Sequence, residues 1–288
     1  MSSTQATWTI LSVLDWTRGF FGKKGLSNPR LDAEVLVAHA LEMERVMLYA
    51  RFDQPLLPEE LATIRALVQR RGRGEPIAYI VRSREFYSLE LEVGPDVLIP
   101  RPDTEVLVEV ALDLVRPIES PIVVDVGTGS GNVAIAIAKE RPTSRVVALD
   151  VSKRALDVAR RNAMRHGLDA RVSFFESDLL RALPSDVVPD LLVANLPYIP
   201  KAQISALMTD VREFEPRVAL DGGDDGLDLI RALIDQAPRR AAIALEAGDE
   251  QVDSLRDELT RAGFSNAAVR RDYGGLRRVA YAKGEAKP

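Results

Sequence analysis

The chain has 288 residues, 46% hydrophobic and 28% charged, the balance of a soluble globular protein of about two domains, which excludes a disordered or fibrous chain. Its formal net charge of −5 lacks the basic excess that supports non-specific nucleic-acid binding. Cysteine is absent, which excludes disulfides, thiol nucleophiles, iron–sulfur clusters and thiolate-bound zinc, and His39 and His166 alone cannot build a three-histidine metal site. The start, Met-Ser-Ser-Thr-Gln, has no basic segment leading into an apolar core, and no uncharged apolar run approaches ~18 residues. A cytoplasmic protein with no bound metal and no membrane partner is expected.

Residues 1–75 read as a small helical domain. Thr7 to Phe21 places Trp8, Leu11, Leu14, Trp16 and Phe20 at helical spacing. Ser27-Asn28-Pro29 opens a second helix, a capping residue before a proline, whose apolar face runs through Leu31, Val35, Leu36 and Leu41. A third follows Pro58, with Glu59 and Glu60 in its first turn and Arg70, Arg71 and Arg73 in its last, as the helix dipole prefers. Residues 76–100 change to short apolar runs and alternation, notably Phe86 to Val93, and are expected to form a β-hairpin linker. A helix then follows Pro102.

Residues 101–288 alternate strand and helix. Strands are expected at Ile122–Val126, Val146–Leu149, Val172–Phe175 and Leu191–Ala194, with helices at Val133–Lys139 and Lys153–Arg165. Further strands are expected at Ala241–Leu245, Ala268–Arg271 and Arg278–Ala282. Repeated βαβ units imply an α/β fold with a parallel, doubly wound, Rossmann-like sheet.

The first of these strands ends in Asp125-Val126-Gly127-Thr128-Gly129-Ser130-Gly131, directly before a helix. A dinucleotide fingerprint would need glycine at 132, where Asn132 stands. The observed G-x-G-x-G, with an acid two residues ahead, resembles the loop of S-adenosylmethionine-dependent methyltransferases. Asp150 ends the second strand, about 20 residues on, where an acid accepts from ribose hydroxyls. The third strand runs into Glu176-Ser177-Asp178-Leu179, where methyltransferases place an acid near the adenine amino group and an apolar residue beside the ring. Gly127, Thr128, Gly129, Ser130, Gly131, Asp150, Asp178, Leu179 and Asn195 are therefore the candidate cofactor residues, and S-adenosylmethionine the candidate cofactor.

The fourth strand delivers Asn195-Leu196-Pro197-Tyr198 to the same sheet edge. An amide or exocyclic amino nitrogen is a poor nucleophile because its lone pair is delocalised. Accepting hydrogen bonds from both of its N–H groups localises that pair, and the Asn195 side-chain oxygen and the Leu196 carbonyl can supply the two acceptors. Tyr198 can stack on the planar group near the sulfonium. The nitrogen sheds a proton as it becomes cationic, so no histidine base is required. Asn195, Leu196, Pro197 and Tyr198 are the candidate catalytic residues.

Over nearly its whole length the chain resembles the release-factor glutamine methyltransferases, the HemK/PrmC family. The resemblance rests on Gly74-Glu75-Pro76-Ile77-Ala78-Tyr79, Arg84-Glu85-Phe86-Tyr87 and Leu98-Ile99-Pro100-Arg101-Pro102-Asp103-Thr104-Glu105. It continues through the glycine loop and Asn195 motif to Glu215–Gly223, Asp225-Gly226-Leu227-Asp228 and Arg271-Asp272-Tyr273-Gly274-Gly275. It implies a seven-stranded methyltransferase sheet and methylation of the side-chain amide nitrogen N5 of the glutamine in the Gly-Gly-Gln motif of class-1 peptide-chain release factors. It further implies that the helical domain helps to recognise that protein partner, with nucleic acid not a substrate and a monomer expected. One position departs from the family's Asn-Pro-Pro-Tyr: Leu196, which is common instead in enzymes that dimethylate adenine in ribosomal RNA. An adenine N6-methyltransferase acting on RNA or DNA, and a non-catalytic partner-binding module, are the alternatives.

Other segments have plainer readings. Arg101 to Glu105 is a helix start, with cofactor or substrate contact as an addition. Asp221 to Asp228 is a turn capping a helix. His39 is a packed or surface residue, and His166 a helix C-terminal dipole partner. Lys153, Arg154, Arg160, Arg161 and Arg165 form one solvated helix face. Arg70, Arg71 and Arg73 are candidates for contact with an acidic protein surface.

Overall fold

The computed structural model describes residues 7–284. The chain forms two compact units, one running up to Arg82 and including Thr209–Phe214, the other comprising Ser83–Met208 and the chain from Glu215 on.

The first unit contains α1 (Ile10–Lys23), α2 (Pro29–Ala40), α3 (Arg45–Ala50), α4 (Pro58–Gly72) and α5 (Ile77–Val81). Thr9 caps α1: its hydroxyl accepts from the Ser12 amide, and Ser12 Oγ accepts from the Thr9 amide at 2.8 Å. This entry angle turns Ile10, Val13, Thr17 and Phe21 inward. Trp8, Leu11 and Trp16, expected on the buried face, are exposed instead. A second apolar stripe, Ile10, Val13 and Phe21, packs against Leu36, Val37, Ile64 and Val68 in place of the one expected. Leu31 on α2 is likewise exposed, while Ala33, Leu36, Val37 and Ala38 pack. Asn28 starts α2 without a side-chain capping bond, so Pro29 at its first position is the local signal that the structure uses.

Ile77–Val81, expected in the hairpin segment, is helical. A five-residue apolar run does not distinguish strand from helix by itself, and here Ile80 joins the helical core after Pro76 sets the entry. The helical unit therefore extends beyond residue 75. The hairpin is confined to β1 (Ser83–Phe86) and β2 (Leu89–Glu92), which pair antiparallel. Phe86, Leu89 and Leu91 are buried in the core of the second unit.

That unit continues through a 3-10 turn (Pro102–Thr104), α6 (Glu105–Val115), β3 (Ile122–Val126), α7 (Asn132–Glu140), β4 (Arg145–Asp150), α8 (Lys153–Arg165), β5 (Val172–Glu176) and β6 (Leu191–Ala194). The short α9 (Thr209–Phe214) belongs to the first unit. Then come α10 (Asp228–Gln236), β7 (Ala242–Glu246), α11 (Val252–Arg261), β8 (Ser265–Arg271) and β9 (Arg277–Lys283). The seven-stranded sheet has the order β5-β4-β3-β6-β7-β9-β8. Five strands are parallel, as expected, whereas β9 runs antiparallel to β7 and β8 antiparallel to β9.

Alternating residues feed two cores. Val123, Val146, Leu191 and Val193 pack with α6 and α7, while Val124, Val147, Leu192 and Leu245 pack with α10 and α11. Chain order leaves β3 toward β4 and β5, then returns to the other side of β3 at β6. The loops after β3 and β6 therefore part at a topological switch point, where doubly wound sheets open a crevice. Pairing of Val126 with Ala194 sets the glycine loop beside Asn195.

No helix among the described residues is long and apolar enough to cross a membrane. None of their His, Asp and Glu side chains group into a cluster able to hold a metal ion.

Candidate active site

Gly127, Gly129 and Gly131 have φ of 76°, 53° and 81°, the left-handed region that favours glycine. They let the chain leave β3, turn, and enter α7 within five residues. The turn is tied to β4 by the amides of Gly127 and Thr128, which both donate to the Leu149 carbonyl at 2.8 and 2.9 Å. Asp125 lies beneath it, fully buried. It accepts from Thr128 Oγ1 at 2.7 Å and from the amide of Ala134 in the first turn of α7. Burial pushes its pKa up to about 7 against those two bonds.

Asp150 ends β4. Its Oδ2 accepts from the Gly129 amide and its Oδ1 from the Ser152 amide, each at 2.8 Å. The amide of Val151 also bonds this carboxylate, so three of its four lone-pair positions are engaged and one is left for a ribose hydroxyl. Burial raises this group too, and the backbone amides oppose the rise. After β5, Asp178 pairs with Arg181 at 2.8 Å, and Leu179 holds a left-handed φ of 52° while 7% exposed.

These loops line one cavity of about 330 Å³. All five loop residues Gly127 to Gly131 except Gly131 line it, together with Asp150, Asp178, Leu179, Asn195, Leu196 and Pro197. Gly131 instead packs, since a Cβ there would lie 3.1 Å from the Ala159 Cβ. A Cβ on Gly129 would meet nothing within 4 Å, so the backbone is open to a ligand there. This cradle, the remaining acceptor position of Asp150 and the apolar Leu179 fit a nucleoside with an amino-acid tail. Asp96, Val97, Leu98 and Pro100 also line the cavity, so the segment read as linker contributes to the site, as does Arg101 just beyond it.

The Asn195 motif leaves β6 at the same edge. The Leu196 side chain is 5% exposed and packs over Gly127, whose hypothetical Cβ would lie 2.8 Å from Leu196 Cδ2. Tyr198 is not among the lining residues; its hydroxyl donates to Glu246 Oε1 at 3.4 Å. The 221–228 turn does precede α10, and it also braces this motif. Gly222 donates to the Ile199 carbonyl at 3.0 Å, and Gln251 Nε2 donates to the Tyr198 carbonyl at 2.9 Å. A Cβ on Gly222 would sit 2.6 Å from the Pro197 oxygen, so only glycine permits this approach.

Of three further residues, Glu246 and Asn162 were not singled out from the sequence, whereas Thr104 lies in the Arg101 to Glu105 helix start, where cofactor or substrate contact was expected as an addition. Asn195 Nδ2 donates to Thr104 Oγ1 at 3.1 Å, which makes the Pro-Asp-Thr-Glu turn part of the site. Glu246, at the end of β7, is 1% exposed and its Oε2 has no hydrogen-bond partner. Burial raises its pKa to about 7, while Thr104, Arg278 and Tyr198 pull it back. Asn162, fully buried on α8, donates to the Ser130 carbonyl at 2.9 Å and accepts from the Glu92 amide at 2.7 Å, joining loop and hairpin. Glu246 carried a legible signal, an acid closing an apolar strand as Asp150 does; Asn162 carried none.

The charged clusters divide. Arg154, Arg160, Arg161 and Arg165 form ion pairs along an exposed face, with Asp96, Asp157, Glu92 and Glu90. Arg71, in contrast, is buried against Asp32 at 2.7 Å and Arg70 pairs with Glu75, so only Arg73 of that trio is exposed. Burial against Asp32 withdraws Arg71 from any partner surface, whereas the Arg70 side chain stays partly exposed beside Glu75. His39 is exposed, and His166 ends α8 with Nε2 2.9 Å from the Glu90 carbonyl oxygen.

Residues 12–81 match the family model of the PrmC N-terminal domain, and residues 123–214 match a methyltransferase domain. The release factor glutamine methyltransferase of Geobacter sulfurreducens is 46% identical, over 97% of this chain and 98% of its own length. That of Moorella thermoacetica is 42% identical, over 91% and 94%. The chain belongs to the release factor glutamine methyltransferase family. As a member it is an S-adenosylmethionine-dependent methyltransferase. The N-terminal domain of human METTL16, solved with SAH, shares the fold at 16% identity, with a TM-score of 0.52 over 69% of this chain and 77% of that one. Against its own family's Asn-Pro-Pro-Tyr, this chain places Leu196, whose side chain fills space over the glycine loop.

Proposed function

We propose that the protein methylates the side-chain amide nitrogen N5 of the glutamine in the Gly-Gly-Gln motif of class-1 peptide-chain release factors. The single observation that carries this reading is Asn195: its Nδ2 is committed to Thr104 at the cavity wall beside the glycine loop, which leaves Oδ1 as the acceptor for a substrate N–H. S-adenosylmethionine, held by Gly127 to Ser130, Asp150, Asp178 and Leu179, supplies an electrophilic methyl group.

The chain's own residues do the rest. Asn195 Oδ1 and the Leu196 carbonyl accept from the two amide N–H groups and pull the nitrogen lone pair out of conjugation. Pro197 keeps Leu196 extended, because the residue before a proline is restricted to that region. Tyr198 supplies an aromatic face at the motif's end, its hydroxyl anchored by Glu246. The cationic nitrogen then sheds its proton without a dedicated histidine base. The helical unit presents exposed Trp8, Leu11 and Trp16, a surface suited to engaging the protein substrate.

Mass spectrometry of intact release factor after incubation with enzyme and methyl donor tests the reading. One methyl on the Gly-Gly-Gln glutamine is expected. Transfer to ribosomal RNA with none to release factor would replace it with adenine methylation.

A further inference from the structure

We infer that Arg101 is the cation that receives the carboxylate of the cofactor's amino-acid tail, and that Glu215 holds it ready. This role rests on the proposed seat of the cofactor between the glycine loop and Asp150.

S-adenosylmethionine carries a sulfonium, an ammonium and a carboxylate. The cavity is rich in acids to meet the two positive groups: Asp96, Asp125, Asp150 and Asp178 all line it. The carboxylate is the difficult group. Brought among other carboxylates and away from bulk water, it needs a cation or several converging donors.

The glycine loop does not offer those donors. The amides of Gly127 and Thr128 are spent on the Leu149 carbonyl, that of Gly129 on Asp150, and that of Gly131 on the Thr128 carbonyl. Amides turned inward in this way shape a loop but cannot cradle an anion as a phosphate-binding loop does. A side chain must supply the charge. Among the described residues that line the cavity, Arg101 is the only one with a cationic side chain.

Its place in the fold suits the tail rather than the nucleoside. The Thr104 amide donates to the Arg101 carbonyl at 3.1 Å, so the two share one turn, and Thr104 Oγ1 accepts from Asn195 Nδ2 at the end of β6. Asp150 ends β4, on the other side of β3 from β6. A ligand with its ribose at Asp150 and its carboxylate at Arg101 therefore crosses the switch point. Its sulfonium, which joins ribose to tail, then passes the Asn195 motif.

The arginine is also preset. Its guanidinium donates to Glu215 Oε1, and Glu215 Oε2 accepts from the Ile99 amide at 3.1 Å. The Glu215 side chain is 1% exposed and that of Arg101 37%, so a buried anchor carries a head that stays open. A guanidinium has five N–H donors in one plane and keeps its charge at any working pH. The bond to Glu215 leaves donors for a second carboxylate, and a side chain already held loses less entropy on binding it.

The test is calorimetry on the full-length protein with S-adenosylmethionine and with its decarboxylated form, which lacks only the carboxylate. Arg101→Gln should weaken S-adenosylmethionine by ~10- to 100-fold, the worth of a charge-assisted hydrogen bond, and leave the decarboxylated ligand within ~3-fold of wild type. Arg101→Met, which keeps the length without the charge, supplies the same comparison if the glutamine variant does not fold. An equal loss for both ligands, or a loss for neither, would overturn the role. A change confined to KM for release factor would overturn it too, and assign Arg101 to the protein substrate. Asp150→Ala, aimed at the ribose, should weaken both ligands alike. Unchanged affinity for both in that variant would overturn the seat itself, and the role of Arg101 with it.

Discussion

The Gly129 amide donates to Oδ2 of Asp150 at 2.8 Å, so the acid that ends β4 and the loop that follows β3 hold one another in place. One carboxylate thus shapes the glycine cradle while keeping a lone pair for a ligand hydroxyl. Asp150→Ala should weaken S-adenosylmethionine binding by about 10- to 150-fold, the worth of a charge-assisted hydrogen bond of roughly 1.5–3 kcal/mol. Calorimetry reads this directly. Unchanged affinity would remove the ribose from this strand end.

Leu196 departs from the family motif without removing an acceptor, because the second acceptor proposed is a backbone carbonyl. Leu196→Pro should therefore keep glutamine as the substrate and change the rate by less than ~10-fold, since fixing one backbone residue is worth about 1 kcal/mol. It also strips the packing over Gly127, so a lower melting temperature is expected alongside. Side-by-side assays of both proteins on release factor and ribosomal RNA check the substrate. Methyl transfer to RNA by the wild type alone would make Leu196 a specificity residue.

Gly222 offers a test just behind the cavity wall. A Cβ there would lie 2.5 Å from the Gly226 oxygen and 2.6 Å from the Pro197 oxygen, both backbone atoms that cannot swing aside. Gly222→Ala should displace the Asn195 motif, lowering kcat by ~10-fold or more while cofactor affinity changes little. Steady-state kinetics with calorimetry separates the two effects. An unchanged kcat would show that the loop does not brace the motif.

On the helical unit, Trp16 stacks on Phe20 with ring centroids 5.5 Å apart and remains 49% exposed. Exposed aromatic side chains with a rigid support are the residues that dominate protein interfaces. Trp16→Ala should raise KM for intact release factor by several-fold, leave kcat within ~2-fold, and leave cofactor binding alone. No change in KM would exclude this face from substrate recognition.

Asp125 should leave a mark on stability. Its carboxyl titrates near 3.8 in an unfolded chain and at about 7 when folded, because burial penalises the charge. The folded state binds the proton more tightly, so this group's stabilisation is complete below pH 4 and is lost as pH rises toward 7 and above. Asp125→Asn keeps an acceptor for Thr128 and carries no charge. Its melting temperature should decline less than that of wild type between about pH 5 and 8, by an amount worth up to a few kcal/mol. Parallel pH profiles in the two proteins would contradict the buried-charge account.

Much of this molecule was legible before folding. The edges of β3, α8 and β6 follow from short-range chemistry: apolar runs of strand length, a capping serine, glycines that alone tolerate a left-handed turn. Gly127 to Ser130, Asp150, Asp178, Leu179 and Asn195 were chosen because each ends a strand or opens a loop. A parallel sheet brings all such positions to one edge, and the cavity collects them there.

Tertiary structure decided the rest, because it concerned choices that local sequence leaves balanced. The periodicity read along α1 favoured Trp16, and only the packing against α2 and α4 put Phe21 inside and Trp16 outside. Ile77–Val81 could have been strand or helix until Ile80 found the helical core. Arg71 looked like a surface charge until Asp32, far away in sequence, paired with it at 2.7 Å. Thr104 and Asn195 lie 91 residues apart, and nothing in either segment names the other. A hydrogen bond spanning that distance is a property of the closed sheet, since only the folded chain brings the turn after Pro102 against the end of β6.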